Sequence, residues 1–178
     1  MTRPTLLLHS CCGPCSTAVL ETLLPNYAVT LYFYNPNLNS EAEYMRRLKA
    51  QETVAEHFSV ELITAPYEPA SFVAATSGLE DAPEGGARCV CCFTERLEET
   101  VQKAKALGFS MFGTTLSVSP HKDADLLNEI GSGLGVQHAL PYLAADFKQK
   151  EGYRRSAAIA RSLALYRQNY CGCQYSLR

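Results

Sequence analysis

The residues of this chain best suited to chemistry are its eight cysteines, and they are not scattered. Cys11, Cys12 and Cys15 form one group, Cys89, Cys91 and Cys92 a second, and Cys171 and Cys173 a third. Thiols serving as small core residues would be spread along the 178 residues, whereas here two long stretches have none. Cys12 with Cys15, and Cys89 with Cys92, have C-x-x-C spacing; Cys171-Gly172-Cys173 adds a C-x-C pair whose glycine lets two sulfurs converge. Repeated close spacings of this kind are those of metal ligands.

Three chemistries compete for these sulfurs. A structural zinc ion takes four ligands in a closed tetrahedron. A thiol–disulfide relay is suggested by Cys12-Gly13-Pro14-Cys15, which has the C-G-P-C form of thioredoxin-like proteins, but it leaves six cysteines unexplained. An iron–sulfur cluster also takes about four thiolates. Eight exceed four, so any single metal site leaves sulfur for a neighbour. Adjacent side chains point in different directions, so Cys11 and Cys12 are able to serve two sites from one dipeptide. The plainer reading is that Cys11 or Cys91 is an idle buried thiol. On the residues alone these readings stay open.

The elements that position the sulfurs follow from pattern. Thr5–His9 is a short apolar strand running into the first cysteine group, with a helix expected over Ser16–Leu24, capped by Ser16 or Thr17. Ala28–Tyr34 and Val60–Ala65 read as strands flanking a long helix over Ser40–Phe58. The acidic, glycine-rich Ser77–Ala87 reads as an exposed linker, and the second cysteine group then precedes a helix over Phe93–Leu107 closed by Gly108. A strand over Ser110–Leu116, a turn at Ser119–Lys122, a helix over Asp123–Leu134, a short strand near His138–Leu143 and a last helix over Glu151–Leu165 complete the alternation. Strands alternating with helices predict an α/β fold, a Rossmann-like three-layer α/β/α arrangement with a mostly parallel sheet. Ligands in such sheets bind beyond the carboxyl ends of the strands, which is the rim where the cysteine groups are expected.

Composition narrows the class. At 47% apolar and 19% charged residues the chain reads as one globular domain over 1–178, not a disordered one. No apolar run approaches the roughly 20 residues that span a bilayer. Pro4 and His9-Ser10 interrupt the first apolar stretch too early for a signal peptide, so a soluble cytoplasmic protein is expected. Charge is uneven. Residues 1–145 carry nine Lys and Arg against sixteen Asp and Glu, whereas 146–178 carry seven against two. That basic segment is expected to close the metal site and suits a polyanionic partner, although a solvated amphipathic helix has the same composition.

The motifs LLLHSCCGPCS, YFYNPNL, RCVCCFTERL, FGTTLSVSPHK, DFKQKEGYRRS and LYRQNYCGCQYS occur in this order. With them the sequence resembles the cobalamin-independent epoxyqueuosine reductases of the QueH type, from about residue 6 to residue 176. The resemblance implies reduction of the epoxide of epoxyqueuosine, at the wobble position of tRNA, to the alkene of queuosine. It implies a [4Fe–4S] cluster with a single, mononuclear iron beside it. Cys11, Cys12, Cys89, Cys92, Cys171 and Cys173 match motif cysteines, and Cys15 matches a position for Cys or Asp; Cys91 falls outside the pattern and is the expected spectator. Partition of these ligands between the two metals does not follow from the resemblance. Partners would be the tRNA carrying epoxyqueuosine and an electron donor of ferredoxin or flavodoxin type.

Candidate proton donors are Asp146 and His121, whose plainer roles are a helix cap and a turn histidine. Lys148, Lys150, Arg154, Arg155 and Arg167, interleaved with Tyr153, Tyr166 and Tyr170, are candidates for tRNA binding, cations for phosphates and rings for splayed bases. Arg46 and Arg47 are candidates for further phosphate contacts. Two other functions have to be weighed. A zinc-stabilised RNA- or protein-binding module would use the same cysteines. A tRNA-sulfurating, pyrophosphatase-like enzyme would need a Ser/Gly-rich phosphate loop after the first strand, where CCGPC offers one glycine and a proline without an N–H.

Overall fold

Leu6, Leu7 and Leu8 are all completely buried, and this uninterrupted apolar run lies in the middle of a sheet covered on both faces. In the computed structural model, which describes residues 2–177, strands β1 (Thr5–His9), β2 (Ala28–Phe33), β3 (Glu61–Thr64) and β4 (Met111–Thr114) pair in parallel in the order β3-β2-β1-β4. Alternate side chains of β1 serve opposite layers. Leu6 and Leu8 pack with Val19 and Leu20 of helix α1 (Gly13–Leu23) and Val54 of α2 (Glu41–Phe58). Leu7 packs with Leu97 and Val101 of the helix over Ala87–Ala106 and Leu134 of the helix over Ala124–His138. The arrangement is the expected three-layer α/β/α fold, and α1 opens at the carboxyl end of β1 where the first cysteines lie.

Several boundaries differ from expectation. Helix α1 begins at Gly13 with Cys12 at its N-cap and Pro14 in its first turn, where a missing N–H costs nothing. Ser16, expected as the cap, lies inside the helix and donates to Gln51 Oε1 at 2.9 Å. A short helix α3 (Pro69–Ala75) occupies a stretch with no sequence assignment. Helix α4 (Ala87–Ala106) starts six residues before the expected Phe93, so the second cysteine group is inside it. The cause is Arg88, which is buried and donates through Nη1 to the carbonyls of Leu79 (3.2 Å), Glu80 (2.9 Å) and Ala82 (2.5 Å), folding the supposed linker back onto the helix.

Helix α5 (Ala124–His138) outruns its expected end at Leu134. Gly131 leaves room there for the Tyr142 ring, which a Cβ would meet at 2.3 Å. The strand expected near His138–Leu143 shrinks to one bridge between Phe112 and Tyr142. Helix α6 (Gly152–Ser162) stops short of Leu165, with Ala164 in the left-handed region at φ 50°. No helix among the described residues is long and apolar enough to cross a membrane.

Candidate metal centre

The turn from β1 into α1 gathers the first sulfur group. Cys12 caps the helix and Cys15 follows in its first turn, so the sulfurs of Cys11, Cys12 and Cys15 lie within 4.8 Å of one another. Cys11 and Cys12 are 3.8 Å apart, matching the edge of about 3.8 Å in a tetrahedron built on metal–sulfur bonds of about 2.3 Å. Three sulfurs so placed fit a single metal ion and leave a fourth position for another ligand. Without metal the group shares protons. Hydrogen bonding with Cys12 and Cys15, with Arg96 and Lys122 nearby, holds the Cys11 thiol well below its usual range despite burial. The hydrogen bond with Cys11, with burial adding to it, pushes Cys12 up to about 12.

A second group joins the other two cysteine pairs. Cys89 and Cys92 are three residues apart on α4 and so share one side of the helix. Cys92 packs with Cys173, Phe72 and Tyr175. Burial, with the sulfurs of Cys171 and Cys173 adding to it, pushes Cys92 up to about 12 and raises Cys89 as well. Among the described residues these four make no knot as tight as the first group. Glycine is required between Cys171 and Cys173. Gly172 has φ +128°, and a Cβ there would meet Leu38 Cδ2 at 2.6 Å. Cys91 is half-buried and is not part of the tight group of three.

Buried cations surround the sulfurs, and sequence reading assigned them no such role. Arg47, read as a phosphate contact, is only 2% exposed and cannot reach one. It donates to Glu43 Oε1 at 2.7 Å and to the carbonyls of Cys171 (3.0 Å) and Tyr170 (3.4 Å). Arg96, also 2% exposed, sits one helical turn after Cys92, which is the one sequence signal that could have found it. Lys122 Nζ lies 3.5 Å from Cys171 Sγ. Burial works against its charge, but the sulfurs of Cys171 and Cys11 outweigh burial and hold it as an ammonium.

The first and third cysteine groups meet at one cleft beyond the carboxyl end of the sheet. Cys11, Cys15 and Cys171 line it together with Arg96, Lys122 and the expected proton donor His121. Tyr153 and Gln168 line it too, and both continue into a smaller cavity beside Cys15 and Arg167. Asp146, the other expected donor, does not line this cleft. Its carboxylate accepts from the Lys148 backbone N–H at 3.0 Å and pairs with Lys148 Nζ at 3.4 Å.

The expected tRNA cations divide in the same way. Lys148 is tied to the carbonyls of Lys122 (2.9 Å) and Ser117 (3.4 Å), so it braces the loop carrying Lys122. Arg155 pairs with Glu21 at 2.7 Å, while Arg154 pairs with Glu151 in full solvent. Lys150 and Arg167 are exposed. Tyr166 and Tyr170 donate to Glu43 (2.9 Å) and Asn39 (2.7 Å), and so hold the chain segment before Cys171 against the start of α2.

Fold and site together define a Rossmann-like α/β protein with a triad of cysteine thiols, spaced to hold a metal ion, at its sheet rim. A family model described as epoxyqueuosine reductase QueH matches residues 6–178. The epoxyqueuosine reductase QueH of Streptococcus pyogenes is 41% identical, covering 99% of this chain and 71% of that protein; the one from Staphylococcus epidermidis is 42% identical, covering 98% and 76%. The chain belongs to the epoxyqueuosine reductase QueH family, and it is an oxidoreductase. Its fold is similar to that of the U34-tRNA thiolase NcsA from Methanococcus maripaludis, with a TM-score of 0.60 at 14% identity over 99% of this chain and 63% of that one.

Proposed function

We propose that this chain reduces epoxyqueuosine in tRNA to queuosine, with Cys89, Cys92, Cys171 and Cys173 holding a [4Fe–4S] cluster and Cys11, Cys12 and Cys15 holding a single iron beside it. The observation that carries this reading is the division of seven sulfurs into one tight group of three and one wider group of four, both reaching a single cleft. Turning an epoxide into an alkene takes two electrons and two protons and releases the oxygen as water. When bound, the cluster supplies electrons singly and the iron acts as a Lewis acid toward the epoxide oxygen.

The chain's own groups do the rest. Lys122, held as an ammonium at the cleft wall, stabilises negative charge developing on the departing oxygen and gives it a proton. His121, exposed beside it, relays protons from solvent. Asp146 and Lys148 keep the loop between β4 and α5 in place. Tyr153, 48% exposed at the mouth, offers a ring for a splayed base, while Lys150, Arg154 and Arg167 hold phosphates. Residues 1–178 work as one domain, segment 146–178 closes the site, and a tRNA substrate with a ferredoxin- or flavodoxin-type electron donor places the reaction in the cytoplasm.

The test is anaerobic incubation of reconstituted protein with dithionite and tRNA bearing epoxyqueuosine, followed by nucleoside mass analysis. Loss of one oxygen from the nucleoside is expected. Unchanged nucleoside with fully loaded iron and sulfide would overturn the reading, as would protein purified without oxygen that is colourless and holds zinc alone.

A further inference from the structure

Arg96 is a 2%-exposed guanidinium at the wall of the cleft, with no carboxylate partner among the described residues. It donates through Nη2 to Asn35 Oδ1 at 2.7 Å, Nη1 points at Cys92 Sγ at 3.9 Å, and its buried Nε has no partner. Arg47, equally buried, has Glu43 and two carbonyls; Arg96 has nothing comparable. A buried cation without a compensating anion is strongly unfavourable. The groups that face it are cysteine sulfurs, Cys92 one helical turn before it and Cys11 and Cys171 lining the same cleft, which are anions when they bind metal as thiolates. Its position is also braced. Asn35 donates through Nδ2 to the carbonyl of Ser10 at 2.9 Å, one residue before Cys11, so one amide ties the guanidinium to the backbone of the first cysteine group.

We propose that Arg96 is a fixed countercharge that raises the reduction potential of the centre held by Cys89, Cys92, Cys171 and Cys173, and that Asn35 is the residue that positions it. The proposal rests on the cluster reading above. In the step concerned, one electron arrives from an external one-electron donor, no bond forms or breaks, and the thiolate-ligated centre gains one unit of negative charge. A fixed cation close by favours the more negative, reduced state, as does an N–H directed at a ligand sulfur. Arginine suits the task because it never loses its proton at this burial.

The experiment compares wild type, Arg96→Gln, Arg96→Lys and Asn35→Ala, all reconstituted anaerobically with iron and sulfide. Each is assayed for metal content and then titrated by optical and paramagnetic resonance spectroscopy against dithionite-poised mediators. For Arg96→Gln the reduction equilibrium should fall about tenfold, which is about 59 mV for one electron. Arg96→Lys should recover most of that shift, and Asn35→Ala should lie between. Metal-free Arg96→Gln should melt no lower than metal-free wild type, since it loses an uncompensated buried charge, whereas a merely structural arginine would lower the melt. Equal potentials at equal iron and sulfide overturn the proposal and leave the cluster reading standing; wild type that takes up no iron and sulfide overturns both. If Arg96→Gln holds no cluster, Asn35→Ala decides, and an unchanged potential there overturns the proposal.

Discussion

The guanidinium of Arg47 donates to the carbonyl oxygen of Cys171 at 3.0 Å, so a residue of α2 holds the third cysteine pair in place. The same side chain donates to Glu43 and faces the Tyr170 ring at 5.3 Å. Arg47→Met should therefore do two things together. Metal-free protein should lose at least about 2 kcal/mol in urea unfolding, since charge-assisted hydrogen bonds contribute about 1.5–3 kcal/mol each. Reconstituted protein should hold less iron and sulfide. Wild-type stability and wild-type metal content would show that Arg47 is not the clamp.

Gly172 offers a cleaner probe of the same segment, because no charge is altered. Alanine there must adopt φ near +128° and must also displace Leu38 or the Arg47 guanidinium, whose Nη1 would lie 3.0 Å from the new Cβ. Backbone strain of this kind costs about 1–3 kcal/mol. Gly172→Ala should melt lower and lose cluster absorption, and a variant with unchanged absorption would mean that Cys171 and Cys173 need not converge.

The sulfur grouping predicts an asymmetric set of cysteine variants. Cys92→Ala and Cys173→Ala should abolish the visible absorption of the cluster together with activity. Cys15→Ala should keep that absorption while losing activity and a single iron per chain. Cys91→Ala, outside both groups, should retain all three. Metal analysis beside absorption decides it: equal loss in Cys15→Ala and Cys92→Ala would reject the partition, and loss in Cys91→Ala would reject its spectator role.

How much of this was legible in the sequence depends on how local the determining contact is. Strand β1 is readable because the short run Leu6-Leu7-Leu8 stops at a Gly/Pro loop, as a strand buried on both faces does, and the rim position of Cys11, Cys12 and Cys15 follows from the strand before them. The start of α4 is not readable, since it depends on Arg88 collecting carbonyls from a loop whose composition looks like a linker. Arg47 and Arg96 look like surface cations on their own helices. Their burial is decided by partners 124 and 61 residues away. Lys148 has the composition of a phosphate ligand but spends its donors on Ser117 and Lys122.

His9 gives the metal-free fold a specific pH dependence. The Tyr34 carbonyl can only accept, so Nε2 carries the ring proton and donates to it at 3.0 Å, leaving Nδ1 to accept from the Thr114 hydroxyl at 3.0 Å. Burial first, and then the charge of Arg96, holds the imidazole down to about 3 from an ordinary 6.5. The unfolded chain therefore takes up the proton first. The contribution of neutral His9 is complete above about pH 6.5 and fades as pH falls toward 3, by up to about 1.4 kcal/mol per unit. Between pH 7 and pH 5 wild type should lose about 2 kcal/mol from this group in urea unfolding. His9→Gln should lack that component, and equal pH slopes in the two proteins would mean that His9 is not buried neutral.

Binding of tRNA should separate the free cations from the structural one. Lys150, Arg154 and Arg167 are solvent-facing, and Arg154 has only the exposed Glu151 to oppose it. Each phosphate contact contributes about 0.7–0.9 to the slope of log affinity against log salt, because counterions leave the nucleic acid as the side chain arrives. The triple alanine variant should therefore flatten that slope by about two, measured by filter binding between about 50 and 200 mM salt. Lys148→Ala removes a cation of the same segment, yet its ammonium is held by two backbone carbonyls and Asp146. It should lower the melting temperature and leave the salt slope alone. A flattened slope in Lys148→Ala with an unchanged melt would mean that this lysine leaves the loop to meet the RNA, and an unchanged slope in the triple variant would move the RNA to another face.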